Sequence, residues 1–208
     1  MIDLAVYNKD GKEVEKIQVE ESTFGGKVRY PLLKQAIVRH HANQRVGTAA
    51  NRGRGQVTGS GHKLFRQKGT GNARVGNSRT NKRVGGGVAF AKVARDFGKR
   101  MPKKQRRLAR NSAVLAKLLS DNLVVVDELK FDSPKTRDFA GCLGNLNINR
   151  SCLVTLGDYD VNVYKSARNI PKVAVMPIKE LNAAEICLHQ KVLFTKEAFL
   201  SLLGEETN

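Results

Sequence analysis

Acidic side chains are almost missing from the middle of this chain. Residues 43–110 hold 19 Lys or Arg against a single acid, Asp96. The difference, +18, equals the net charge of the whole 208-residue protein, and the remaining positions balance 18 bases with 18 acids. A cationic stretch with a single acid of its own excludes a self-neutralising surface and calls for a polyanion, usually nucleic acid. Long apolar runs are also lacking. None approaches the ~18 residues of a membrane-spanning helix, and Met1 leads straight into "IDLAVY", which reads as a strand rather than a leader. An anionic membrane surface would attract the same charge, but needs an apolar helix face or a lipidation site beside it, and neither is found. Cysteine is sparse. Cys142, Cys152 and Cys187 are an odd number in apolar sequence, so they read as reduced core residues of a cytosolic protein rather than a disulfide framework. Cys187-Leu188-His189 has one metal-like spacing, but no second Cys/His pair completes a zinc site. No metal or cofactor is expected.

Glycine is plentiful where acid is scarce. Twelve of the 19 glycines lie between Gly47 and Gly98, and the largest apolar residues there are Leu64, Phe65, Phe90 and Phe97. Neither helical nor strand periodicity is present. Such a segment buries too little apolar surface to offset its ordering entropy, about 1–2 kcal/mol per residue for the backbone. Structureless loops beyond about 12–15 residues are rare in compact domains unless they have a function. The expectation is an extended basic loop over 43–101, mobile alone and ordered by its partner. Residues 1–42 and 102–208 would form one discontinuous globular domain.

The flanks carry ordinary folding signals. "IDLAVYN" predicts a strand, Asn8–Gly11 a turn, and Val14–Val19 a second strand. From Pro31, a helix places Leu32, Leu33, Ala36, Ile37 and His40 on one face, so His40 and His41 read as helix-surface or core-edge residues rather than ligands. A helix from Pro102, with the proline at its first position, has Leu108, Leu115 and Leu119 at helical spacing. The two helices are expected to be neighbours, closing the base of the loop. Lys103, Lys104, Arg106, Arg107 and Arg110 crowd the start of the second one, against its macrodipole, an arrangement suited to a bound phosphate. Beyond it come the strand "LVVVDEL", a helix from Ser133-Pro134 to about Leu143, the strand "CLVTL", a helix near Val161–Arg168 and the strand "PKVAVMP". A short helix over Ile178–Ile186, the strand "KVLFT" and a helix capped by Thr195 complete the pattern. Short apolar strands alternating with helices predict an α/β fold, a mostly parallel sheet covered by helices, with the basic loop inserted after the first helix.

Nucleotide and catalytic motifs fail on inspection. Gly71 to Ser78 has the glycine skeleton of a P-loop, but Asn77 stands where the phosphate-binding lysine belongs. Gly69-Thr70-Gly71 opens a dinucleotide fingerprint that Arg74 breaks at the third glycine. Asp158 and Asp160 follow a strand, where α/β active sites often lie, yet they read as a solvated turn. No nucleophile–base arrangement is visible, and the chain is not expected to be an enzyme.

The order of the remaining features is informative. "ANQRVGT" at 42–48, "GQVTGSGHK" at 55–63, "RQKGTGNAR" at 66–74, "GGGVAF" at 85–90, "KKQRRLARNSAVLAKL" from Lys103 and "KVLFTKEA" from Lys191 together resemble the bacterial form of the large-subunit ribosomal protein L4 family, over nearly the whole chain. The resemblance implies a structural constituent of the large ribosomal subunit, cytoplasmic and ribosome-bound, that binds 23S-type rRNA early in assembly. It implies that the loop tip lines the constriction of the polypeptide exit tunnel, opposite a loop of the L-twenty-two family protein. The tip positions are Arg66, Gln67, Lys68, Gly69, Thr70, Gly71, Asn72, Ala73 and Arg74. Asn72 stands where a basic residue is usual, Asn81 where a proline is frequent, and "AKVARDF" after Phe90 retains only Arg95 of the usual pattern.

The residues themselves support RNA binding. Cations spaced every few residues along an extended chain can each meet a phosphate and release a counterion. These are Arg45, Arg52, Arg54, Lys63, Arg66, Lys68, Arg74, Arg79, Lys82, Arg83, Lys92, Arg95, Lys99 and Arg100, followed by the five on the second helix. Arginine's planar fork suits phosphate pairing and base stacking. Phe65, Phe90 and Phe97 either stack on bases or pack on protein. A free RNA-binding regulator acting on messenger is the alternative function, although neither a recognition helix nor an aromatic platform is present.

Overall fold

The computed structural model describes residues 1–207. Contacts divide the chain into two compact units, Met1–His41 together with the chain from Arg100 onward, and Ala42–Lys99.

In the first unit, strand β1 (Ile2–Tyr7) pairs antiparallel with β2 (Glu13–Val19). The side chain of Asn8 builds the turn between them, its Oδ1 accepting from the backbone N–H of Asp10 at 3.0 Å and of Lys12 at 2.9 Å. Four further strands follow, β3 (Leu123–Val126), β4 (Cys152–Leu156), β5 (Val173–Pro177) and β6 (Lys191–Thr195). The sheet order is β2-β1-β3-β6-β4-β5, and every neighbouring pair except β1–β2 is parallel. The fold is thus the mostly parallel, helix-covered α/β sheet expected from the alternating pattern.

The period of two in the strands splits the core into two layers. Leu123, Val125, Leu153, Val192 and Phe194 face one layer. It is covered by α1 (Tyr30–Gln44), α2 (Lys103–Leu119), α5 (Ala183–Leu188) and α6 (Lys196–Thr207). Val124, Val126, Cys152, Val154 and Leu193 face the other, covered by α3 (Thr136–Asn145) and α4 (Val161–Ala167) through Phe139, Leu143, Val163 and Ala167. Helices on both faces explain why the central strands read as continuous apolar runs. Among the described residues, no helix is long and apolar enough to cross a membrane.

Several boundaries differ from the sequence expectation for local reasons. Pro102 is the N-cap of α2, with extended ψ of 147°, and Lys103 is the first helical residue. Leu118 rather than Leu119 meets the core, and Leu119 is exposed. The helix expected from Ser133 starts at Thr136, with Lys135 in extended backbone as its N-cap. The helix expected over Ile178–Ile186 is a 3-10 turn (Ile178–Glu180) followed by α5. The break falls at Asn182, whose Oδ1 accepts from Glu185 N at 3.0 Å and starts a new helix. Asp160 caps α4 in the same way, through Asn162 N at 2.8 Å. The Thr195 hydroxyl accepts from Ala198 N at 3.4 Å at the start of α6. Cys142 and Cys152 are buried as expected, but Cys187 is exposed, because it lies on the outward side of the short α5.

The second unit contains the end of α1 and otherwise neither helix nor strand, only an isolated bridge between Gly53 and Val88. Its outgoing and returning halves nonetheless pair along their length. Lys99 N donates to Asn43 Oδ1 at 2.8 Å, Arg95 N to Gly47 O at 3.2 Å, and Asn51 N to Lys92 O at 2.9 Å. Farther along, Val88 N reaches Arg52 O at 3.0 Å, Ser78 Oγ reaches Ser60 O at 3.1 Å, and Leu64 N reaches Gly76 O at 2.9 Å. The chain doubles back on itself, and the reversal falls within Arg66–Arg74.

Candidate nucleic-acid interface

The doubled-back unit is built from backbone contacts because its side chains cannot form a core. Glycine allows the two halves to meet. A Cβ on Gly47, whose φ is +72°, would fall 2.1 Å from Arg95 O, and one on Gly87 would fall 2.2 Å from Arg54 N. At the reversal, Gly69 and Gly71 both adopt left-handed φ, +79° and +68°, the conformation that favours glycine.

With the backbone turned inward, the cations point out. Arg45, Arg52, Arg54, Lys63, Arg66, Lys68, Arg74, Lys82, Arg83, Lys92, Arg95, Lys99 and Arg100 are all exposed. Arg79 is half-buried, and its Nε, like Oδ1 of Asn77, is shielded from solvent without a hydrogen-bond partner. Asp96, the one carboxylate, is turned onto its own backbone, accepting from Gly98 N at 2.7 Å.

Two of the cations near the reversal also hold its shape. Lys63 Nζ donates to Gln67 Oε1 at 2.8 Å and Val75 O at 3.2 Å, and Arg66 Nη2 donates to Gly69 O at 2.9 Å. Lys68, Asn72 and Arg74 are exposed at the same turn. The three phenylalanines separate in role. Phe97 lies between the guanidinium groups of Arg45 and Arg95, 3.9 and 4.5 Å from its ring centre, so it packs on protein and spaces two cations. Phe65 is half-buried, and Phe90 is 97 % exposed, leaving one open aromatic face on the ribbon.

A second cationic surface lies wholly within the sheet-bearing unit. A cavity of about 690 Å³ is lined by Lys103, Lys104, Arg106, Arg107 and Arg110 of α2, by Ala36, Arg39 and His40 of α1, and by Lys179 to Ala184. Glu180 is its one lining carboxylate. The first turn of α2 contains no acid and its N-cap makes no side-chain hydrogen bond, so the helix end presents unneutralised N–H groups. Arg39 Nε is buried there without a hydrogen-bond partner, a state that costs about 1–3 kcal/mol when no ligand relieves it. His40 Nε2 lies 3.3 Å from Glu185 Oε1, which ties α1 to α5. The α2 cations were legible in the sequence. Arg39 and Lys179 were not, since they come from other elements and no local run marks them.

The two aspartates after β4 have structural roles. Asp160 serves as a helix cap, and Asp158 pairs with Lys179 at 3.1 Å on the exposed surface. Burial pushes the Cys152 thiol up to about 12 and also raises those of Cys142 and Cys187, the reverse of what a nucleophilic thiolate requires. Among the described residues, no three His, Cys, Asp or Glu side chains gather in a metal-holding group.

Comparison with known proteins agrees with this picture. Residues 17–205 match the Ribosomal protein L4/L1 family. The chain is 43 % identical over 195 residues to the large ribosomal subunit protein uL4 of Moorella thermoacetica, covering 94 % of each. It is 43 % identical over 197 residues to the uL4 of Dehalococcoides mccartyi (95 % of this chain, 94 % of the relative). It is 42 % identical over 202 residues to that of Agathobacter rectalis (97 % and 98 %). A match of this extent, with the motif order and the α/β sheet, shows that the chain belongs to the ribosomal protein L4/L1 family.

Proposed function

We propose that this protein is a structural, non-catalytic constituent of the large ribosomal subunit, binding 23S-type rRNA through the doubled-back basic unit. The observation that carries the reading is the outward display of nearly every cation on a glycine-built ribbon with one acid. Each exposed Arg or Lys meets a phosphate, and each contact releases counterions. The sheet-bearing unit anchors the ribbon, while the ribbon bridges RNA segments distant in sequence and contributes early in subunit assembly. The reversal at Arg66–Arg74 lines the polypeptide exit tunnel at its constriction, near the L-twenty-two family protein. Asn72 there replaces a charge with an amide, so the tunnel wall is locally less positive. The protein acts in the cytoplasm as part of the ribosome.

The test is sedimentation. The tagged chain is expected to sediment with large subunits, in about one copy per subunit, at near-physiological salt. Recovery of the chain only in the free fraction under those conditions would defeat the reading and favour the free messenger-binding regulator instead.

A further inference from the structure

A groove between α1 and α2 is apolar where the surfaces described above are cationic. It encloses about 530 Å³ and is lined by Tyr30, Ile37 and Val38 of α1, Ala113 and Ala116 of α2, and Cys187 of α5. Helix α1 is thinly covered. Of its 15 residues Leu33 and Ala36 are buried, whereas α2 buries seven of 17. Tyr30, Ile37 and Val38 recur at the i, i+7, i+8 spacing of one helix face. They stand outside both core layers, and Tyr30 and Val38 are 73 % and 42 % exposed. A surface helix ordinarily turns one apolar stripe to its core and polar residues to water. Helix α1 has a second apolar stripe, and it faces the groove.

Charge selects the occupant. Lys34 and Lys117 line the groove, and no acid does. The Lys117 ammonium is held at the wall, donating to His189 O at 2.6 Å and Gln190 O at 2.9 Å, which leaves the exposed Lys34 as the open cation. The first turn of α1 contains no acid, so its N-terminus adds positive potential at the Tyr30 end. A second copy of this chain would bring the same lysines and a further +18 to the contact, and is repelled. The small side chains of Ala113 and Ala116 let another backbone come close. The stretch Tyr30–Val38 rises about 12 Å along α1, the length of roughly two helical turns. We propose that this groove docks an amphipathic helix of another protein, its apolar face between α1 and α2 and a flanking Asp or Glu on Lys34.

The probe is a synthetic peptide of about 18 residues with Leu on one helical face and Glu on its flanks, long enough to fold as a helix on docking. A scrambled peptide of the same composition controls for attraction to the basic ribbon, which both peptides feel alike. The readout is alkylation of Cys187 by iodoacetamide in the full chain, since that exposed thiol lines the groove. At about 1 mM, enough to half-fill a site of millimolar affinity, the amphipathic peptide should slow Cys187 labelling at least twofold, and the scrambled one should leave it unchanged. Tyr30→Ser/Val38→Ser alters only exposed residues and should weaken peptide binding about tenfold. Lys34→Glu should weaken it too, and should favour a peptide with Lys in place of Glu. Unslowed labelling, equal protection by the scrambled peptide, or native protection in Tyr30→Ser/Val38→Ser overturns the site. Protection by sodium dodecanoate but not by the peptide would assign the groove to a small anionic amphiphile. Labelling that slows as the protein alone is concentrated would assign it to a second copy. Either result overturns the proposal. Large-subunit rRNA affinity should be native in Tyr30→Ser/Val38→Ser, and a parallel loss of rRNA binding there would make the groove part of the RNA interface and overturn the proposal as well. A native chain that bound the peptide but no rRNA would refute the ribosomal reading and leave the groove standing.

Discussion

Cysteine and asparagine show how single residues depend on their element. Cys152 is fully buried on β4 and its thiol is raised from 9.0 to about 12. The folded protein therefore keeps that proton while the unfolded chain sheds it near its ordinary value. This contribution to stability is fully present at neutral pH and is lost as pH climbs from about 9 towards 12. Cys187 is exposed, though burial of its sulfur partly raises its thiol and the nearby Lys117 opposes the shift. Iodoacetamide should label Cys187 first in the native protein, at a rate rising with pH, while Cys142 and Cys152 require denaturant, as peptide mass spectrometry will show. Equal native labelling of all three would contradict the burial pattern. Asn182 is a second such case. Its Oδ1 starts α5, and Asn182→Ala should cost about 0.5–2 kcal/mol of stability in a urea melt. The sequence from Ile178 to Ile186 reads as one short helix, and the Asn182 cap divides it into a 3-10 turn and α5.

At the scale of elements, the two units obey different rules. The strands were legible because burial on both faces writes them as short apolar runs, such as "LVVV" and "CLVTL". Helix ends were less so, because caps decide them over one or two positions. In the basic unit the backbone beyond the end of α1 is turns, bends and one bridge between Gly53 and Val88. The sequence did not reveal the pairing of the two halves, which runs through backbone groups and glycine contacts that leave no periodic pattern. Gly47 and Gly87 are intelligible only once Arg95 O and Arg54 N are found 2.1 and 2.2 Å from the positions their Cβ atoms would take. This unit has few buried apolar side chains, so its order in the free protein rests on those backbone bonds. Deleting Arg66–Arg74 should leave the thermal melt of the sheet-bearing unit within a few degrees of native, about the effect of 1 kcal/mol or less in a domain of this size. Cooperative unfolding of the deleted protein at room temperature would mean that the two units are one folding body.

Across the whole molecule, charge is the organising quantity. The ribbon Ala42–Lys99 holds 13 Lys or Arg and one acid, and the sheet-bearing unit holds 24 bases and 18 acids, so most of the net +18 lies on the ribbon and the rest is concentrated at the start of α2. The candidate interface on the ribbon was readable from that asymmetry alone. The cavity beside α2 was only half readable, since Arg39 and Lys179 join it through the fold. The central claim is that exposed cations of the basic segment bind large-subunit rRNA through its phosphates, and salt dependence tests it most directly. Affinity of the full chain for large-subunit rRNA, measured between about 50 and 200 mM monovalent salt, should fall by roughly 10³–10⁵-fold, as expected for some six to ten phosphate contacts. An affinity that barely changes over that range would contradict the account.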